Sequence, residues 1–325
     1  MSALSGLSRP SSVWAGRVLW ANLVGQVAIV VTGGAVRLTG SGLGCSDWPE
    51  CEPGQFTPVR HEATTFHPYV EFGNRTLTGV LVILAVAALW VVWRSPRRTY
   101  GLRALATVPL IGVLAQAVIG GLTVLVDLHP ALVGSHLLIS MLLISASAVL
   151  ALRWAAPDAA PRWAIAGRTR ALAVVLVPLT AVMLTLGTVV TGTGPHSGDA
   201  NAPYRYALDP LLVTRAHSLS VWLFLAVLVA LTADLWRQAR RPGADPALAL
   251  ALRRSGDLLG LSLAQGAIGY LQYFTGLPVV LVGLHMLGAS LIVVAQTAQV
   301  LALRPRTPVA PAPEPAPASP AATAA

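Results

Sequence analysis

Apolar residues gather into eight long runs, centred near positions 26, 81, 114, 141, 181, 222, 266 and 290. Several reach the roughly 20 residues that a helix needs to cross the hydrocarbon core of a bilayer. The runs are continuous and lack alternating polarity, which argues against a transmembrane β-barrel. The pattern predicts an all-α integral membrane protein of eight transmembrane helices. The first run is long for a cleaved signal peptide and no clean small-residue cleavage site follows it, so it is read as a retained helix.

Polar residues interrupt these runs at particular depths. "VEFGNRTLTGV" at 70–80 opens the second run with Glu71, Asn74 and Arg75, and "VTRAHSLSV" at 213–221 opens the sixth with Arg215 and His217. Pro68 and Pro130 stand six residues before Asn74 and His136, and Pro210 and Pro278 stand seven before His217 and His285. Proline suits the first helical turn, where its missing N–H has no partner to lose. At about 1.5 Å per residue, the four side chains then lie roughly 9–11 Å into their helices. They form one layer.

The chain also repeats itself. "VVTGG" at 30–34 matches "VVTGT" at 189–193, "LAQAVIGGL" at 114–122 matches "LAQGAIGYL" at 263–271, and "LVGSH" at 132–136 matches "LVGLH" at 281–285. Gln116 precedes His136 by twenty residues, as Gln265 precedes His285. Four helices per repeat bring both halves into the membrane in the same orientation. The expected architecture is two four-helix bundles related by a pseudo-twofold axis along the membrane normal, with sites inside or between them. The division is a short N-terminal segment (1–17), an N-terminal half (18–152), a linker (153–170), a C-terminal half (171–303) and a tail (304–325). The Pro/Ala-rich tail can bury no core and is expected to be disordered.

Charge orients this arrangement. Charged residues make up 11% of the chain and hydrophobic ones 55%, with a mean hydropathy of +0.68. All 22 basic residues are arginine; seventeen fall in the termini and the loops after the second, fourth and sixth helices. The other loops hold five arginines and eight acidic residues. The positive-inside rule places both termini in the cytoplasm. The net charge of +9 therefore orients the protein in a bilayer and implies no nucleic-acid partner. Cys45 and Cys51, in "GCSDWPEC", fall on the oxidising outer side, which favours a disulfide over two free thiols.

An ionisable residue inside a membrane is costly and marks a pathway, a relay or a cofactor. One such histidine is often a helix–helix hydrogen bond. Three in one layer, His136, His217 and His285, on corresponding helices of a repeat, suit axial ligation of haem iron. A proton relay favours stacked depths, and zinc needs further ligands that no spacing supplies. His217 and His285 make a complete pair, fit for a low-spin electron-transfer iron. His136 faces Asn74, a weak iron ligand, so the N-terminal half is the candidate place for chemistry.

With "EFGNR", "LVGSH", "RAHS" and "LVGLH" in this order, joined by "GSGLGCSDWPEC", the chain resembles the haem A synthase family over residues 15 to 303. The resemblance implies oxidation of a haem O ring methyl to a formyl group, giving haem A for terminal oxidases. It implies haem b held by His217 and His285, substrate haem on His136, and Glu71 as the required acid. The family pattern is Glu-x-x-His-Arg, and here Asn74 replaces the histidine, leaving His61, His67 or His129 as other candidate ligands. Glu71, one turn before Asn74, faces the same site and would take a proton from the reacting methyl or from water; it also reads as an ion-pair partner of Arg75 or a helix N-terminal charge. Arg37, Arg75 and Arg215 would meet haem propionates or lipid phosphate. A membrane quinone is the expected electron acceptor and a haem O synthase a possible donor of substrate, at the cell membrane with the haem sites toward its outer face.

Other positions read mainly as packing. The glycines of "VIGGL" and "GAIGY" let helices or a flat macrocycle approach closely. Gln116 and Gln265 bond across helices or support an imidazole, and Trp48, Trp90, Trp93 and Trp154 read as interface anchors. A non-catalytic haem carrier or electron-transfer cytochrome b accounts for His217 and His285 equally well, but not for the difference between the halves. A transporter would show paired broken helices. A prenyltransferase would cluster aspartates for magnesium, and these are scattered.

Overall fold

The computed structural model describes residues 12–60, 65–95, 100–156 and 159–306. His61 and the tail beyond residue 306 lie outside them. The described residues fold into eight helices: α1 (Ser12–Leu38), α2 (His67–Arg94), α3 (Tyr100–Leu125), α4 (Pro130–Trp154), α5 (Gly167–Thr193), α6 (Pro210–Ala239), α7 (Ala247–Phe274) and α8 (Val279–Leu303). Seven are long and apolar enough to cross a membrane. The exception, α7, has 28 residues but carries Arg253, Arg254 and Asp257 in its first half and Gln265 and Gln272 in its second.

Proline sits in the first turn of α2, α4 and α6 and at the N-cap of α8, as the spacing predicts. Asp209 caps α6, its Oδ1 accepting from Leu211 N at 2.8 Å. The helices before the two "LVG-x-H" segments close alike. Leu128 N donates to Thr123 O at 2.8 Å and Leu277 N to Gln272 O at 2.7 Å. Leu128 (φ 58°) and Leu277 (φ 61°) are both left-handed. An L-residue with a Cβ is disfavoured there by roughly 1–2 kcal/mol, so packing must hold these leucines in place.

Helices α1 to α4 close one bundle, with α1 against both α2 and α4 and α3 against α2 and α4. Helices α5 to α8 pack in the same succession, and the bundles meet where α1 and α4 touch α8 and α4 touches α5. Leu176, Phe224, Leu228 and Leu258 belong to the core of the second bundle. Leu19, Val91, Leu150 and Trp154 fill the end of the first bundle away from the cysteine loop. Leu23, Met141, Ile144 and Val293 seal the seam. Between apolar helices in lipid, close packing and interhelical hydrogen bonds rather than water exclusion supply the cohesion. Asn22 Nδ2 donates to Ser147 Oγ at 3.0 Å, and Ser145 and Thr297 pair across the seam at 2.9 Å.

Two of the four tryptophans read as interface anchors stand elsewhere. Trp90 and Trp93 are exposed, but Trp154 is 6% exposed inside the core. Trp48 folds from the cysteine loop over Gly121, where a Cβ would overlap the indole.

Candidate functional site

Where α1 to α4 meet α5 and α8, the bundle encloses a cavity of about 440 Å³, within the usual range of ligand pockets. Glu71, Asn74, Arg75, His136 and Arg37 line it, together with His285 and Met286 from α8. His217 and Arg215 are not in its wall, and Arg215 is exposed on α6. The cavity belongs to the N-terminal bundle yet reaches a candidate ligand of the other.

Glu71 is 5% exposed and fully engaged. Its Oε2 accepts from Cys45 N at 2.7 Å, and its Oε1 accepts from Arg75 Nη2 at 2.6 Å and Nε at 3.2 Å. Arg75 Nη1 in turn donates to Asp47 O at 2.9 Å and Glu50 O at 3.0 Å. Cys45 and Cys51 are joined, S–S 2.05 Å, and buried. The ion pair on one turn of α2 thus clasps the disulfide loop against the cavity mouth. Both readings of Glu71 apply at once: it pairs with Arg75, and it lines the site.

Each of the four layer residues lies beside a glycine of a preceding helix. A Cβ built on Gly120 would stand 3.5 Å from His136 Cε1, on Gly187 3.4 Å from His217 Cε1, on Gly269 3.2 Å from His285 Cε1, and on Gly33 3.8 Å from Asn74 Nδ2. Gln116 Nε2 donates to His136 O at 2.8 Å and to Ser140 Oγ at 2.6 Å, and Gln265 Nε2 donates to His285 O at 2.7 Å. The glutamines therefore hold the ligand helix by its backbone, not the imidazole. His217 Nδ1 lies 3.1 Å from Met183 O, which can only accept. Its Nδ1 therefore carries the proton and Nε2 keeps a lone pair.

Nδ1 of His136 and of His285 is buried without a hydrogen-bond partner. Such orphans are costly, about 1–3 kcal/mol each, and call for an explanation. Glycine-backed imidazoles beside an apolar cavity fit a haem, a flat macrocycle needing one or two axial nitrogens. Among the described residues no group of three His, Cys, Asp or Glu could hold a metal ion unaided.

Two other candidate ligands, His67 and His129, are engaged elsewhere. His67 Nδ1 pairs with Ser41 Oγ at 2.8 Å and His129 packs against Tyr204, ring centroids 5.3 Å apart; neither lines the cavity. Arg37 donates from Nε to His196 O at 2.7 Å and from Nη2 to Thr191 O at 3.1 Å. His196 was not singled out by the sequence; its Nε2 meets Leu277 O at 3.0 Å and it helps roof the cavity. A lone histidine in a Gly/Pro loop has no spacing to reveal it. Thr32 was missed too: its hydroxyl donates to Asn74 Oδ1 at 2.8 Å. The repeated "VVTG" was its signal.

Comparison with known proteins shows the family. Residues 16–196 match the family model COX15-CtaA, described as cytochrome oxidase assembly protein. The haem A synthase of Methylobacterium nodulans is 30% identical over 306 residues, covering 78% of this chain and 81% of the relative. That of Bacillus pumilus is 36% identical over 130 residues, 38% of this chain and 40% of the relative. That of Shewanella oneidensis is 27% identical over 183 residues, 52% and 53% of the two chains. The chain belongs to the COX15-CtaA family of cytochrome oxidase assembly proteins, the haem A synthase family.

Proposed function

We propose that the protein is a haem A synthase that binds haem O in the N-terminal cavity and oxidises one ring methyl to a formyl group. The observation that carries this reading is a buried carboxylate, Glu71, on the wall of a cavity that also presents His136 with an unpartnered imidazole nitrogen.

The conversion balances as R–CH₃ + H₂O → R–CHO + 4 H⁺ + 4 e⁻, so protons must leave and water must supply the oxygen. Glu71 is the base within the site. Arg75 and Cys45 N fix its position, and the carboxylate can take a proton from the methyl or from attacking water. Arg37 has two donors on the backbone of the other bundle, which leaves Nη1 to meet a propionate at the outer end. His136 would hold the substrate iron. His217 and His285 would hold haem b, which would supply one-electron transfer. A membrane quinone, taking two electrons and two protons at a time, is a suitable final acceptor.

The same reading sets the topology. Arg94, Arg153 and Arg237 end α2, α4 and α6 at the face opposite the disulfide loop. That supports cytoplasmic termini and a haem O site toward the outer face of the cell membrane, reached from lipid or from a haem O synthase. The matched Gln116–His136 and Gln265–His285 bonds support two halves, 18–152 and 171–303, related by a pseudo-twofold axis.

The test is expression in a host that makes haem O but no haem A, with pigments extracted and weighed by mass spectrometry. Haem A from the intact chain, and none from Glu71→Ala, is the expected result. Bound haem b with haem O unchanged would instead mark a carrier or cytochrome.

A further inference from the structure

Gln26 lies midway along α1, is 2% exposed and lines the cavity. Its Nε2 has no hydrogen-bond partner. Val30, Leu81 and Leu143 of the same wall are apolar, while Gln116 and Ser140, also in that wall, are already bonded to each other. A purely structural role would use the amide one turn away. Asn22 is 1% exposed and donates to Ser147 Oγ, but its Oδ1 is also unpartnered, so the two amides do not bond to each other. Gln26 therefore puts a buried amide nitrogen without a partner into the wall of the cavity.

Depth identifies what the ligand must carry. Thr32, bonded to Asn74, marks the level of the layer. Gln26 lies six residues deeper, roughly 9 Å along the helix, and Arg37 five residues shallower, roughly 7.5 Å. A haem places its two propionates on one edge, and those carboxylates belong at the Arg37 end. The opposite edge then points toward Gln26. In haem B that edge bears vinyl groups. In haem O one vinyl is replaced by a hydroxyalkyl isoprenoid chain, whose hydroxyl both donates and accepts.

We propose that Gln26 recognises the hydroxyl of the isoprenoid side chain and so selects haem O over haem B at the N-terminal site. This rests on the reading of that cavity as the haem O site. A vinyl edge leaves the buried amide unpaired, and a hydroxyl satisfies it; one such hydrogen bond is worth roughly tenfold in affinity.

The full-length protein, carrying its haem b and held without electron acceptor so that nothing turns over, is titrated with haem O and with haem B by absorbance. The wild type should prefer haem O. In Gln26→Leu and Gln26→Met the ratio of affinities should fall roughly tenfold, through weaker haem O binding with haem B unchanged. The haem b spectrum reports whether each variant is folded, and Asn22→Leu should keep the wild-type preference. No preference in the wild type, a preference unchanged in both Gln26 variants, or an equal loss for the two haems would overturn the proposal. Conversion of haem O, measured separately with acceptor present, tests the synthase reading: variants that convert haem O and keep the preference refute only the role of Gln26.

Discussion

Asn74 stands where the resemblance implies a histidine, and Thr32 decides what it can offer. The Thr32 hydroxyl has one proton and its shortest contact is Asn74 Oδ1, 2.8 Å, against 3.1 Å to Ala28 O and 3.3 Å to Ile29 O. The carbonyl oxygen, the amide atom best able to meet iron, thereby has one lone pair engaged and is held toward α1. The substrate iron should then be five-coordinate on His136 alone, with a high-spin spectrum and ready binding of cyanide. Asn74→His should shift that spectrum to low spin. Its cyanide affinity should fall roughly tenfold, as expected if the open state drops to about a tenth of the population. A low-spin wild-type N-terminal haem would sink this account. Glu71 separates along a different line. Glu71→Gln keeps one acceptor oxygen, for Cys45 N or for Arg75 but not for both, so the loop should be held more weakly than in the wild type while turnover falls by roughly 10²–10⁴, the contribution of a positioned base. Glu71→Ala removes both acceptors and should lower the thermal midpoint further, since Arg75 loses its buried partner altogether. Equal turnover in the glutamine variant and the wild type would leave Glu71 a purely structural clasp.

At the level of elements, the layer of ligand positions was legible because helix rise is fixed: a proline in the first turn and six or seven residues of α-helix determine a depth. The disulfide was legible from compartment and spacing. Contacts made by loops were not, because nothing periodic links Trp48 to Gly121 or His196 to Leu277. The glycines of "VIGGL" were recognised as points of close approach, but not what approaches them. Gly120 faces His136 with room for a methyl, whereas Gly121 lies under the Trp48 indole. Gly121→Ala should therefore displace Trp48 and cost about 1–3 kcal/mol by overpacking. Gly120→Ala should cost less than Gly121→Ala and leave the loop in place. Thermal unfolding of the two variants, followed by tryptophan fluorescence, makes the comparison; similar midpoints would mean that the loop does not depend on this contact.

On the scale of the whole molecule, the cavity does not respect the boundary between the bundles. His285 lines it and His217 does not, although both are assigned to the same haem b. Met286 also reaches across to α1, where a Cβ on Gly34 would stand 2.8 Å from its Cε. Under the proposed function, electrons leaving the substrate would thus have a path through α8, and the two proposed haem b ligands should not be equivalent. His217→Met should change the haem b spectrum and slow turnover while leaving haem O affinity unaltered. His285→Met should change the haem b spectrum and also weaken haem O binding severalfold, because the substituted side chain forms part of the substrate wall. Anaerobic titration of both variants with haem O, alongside the reduced haem b spectrum, separates the two effects. If the variants bind haem O equally, α8 serves only the C-terminal site, and coupling between the bundles must run through the Arg37 contacts to Thr191 and His196 instead.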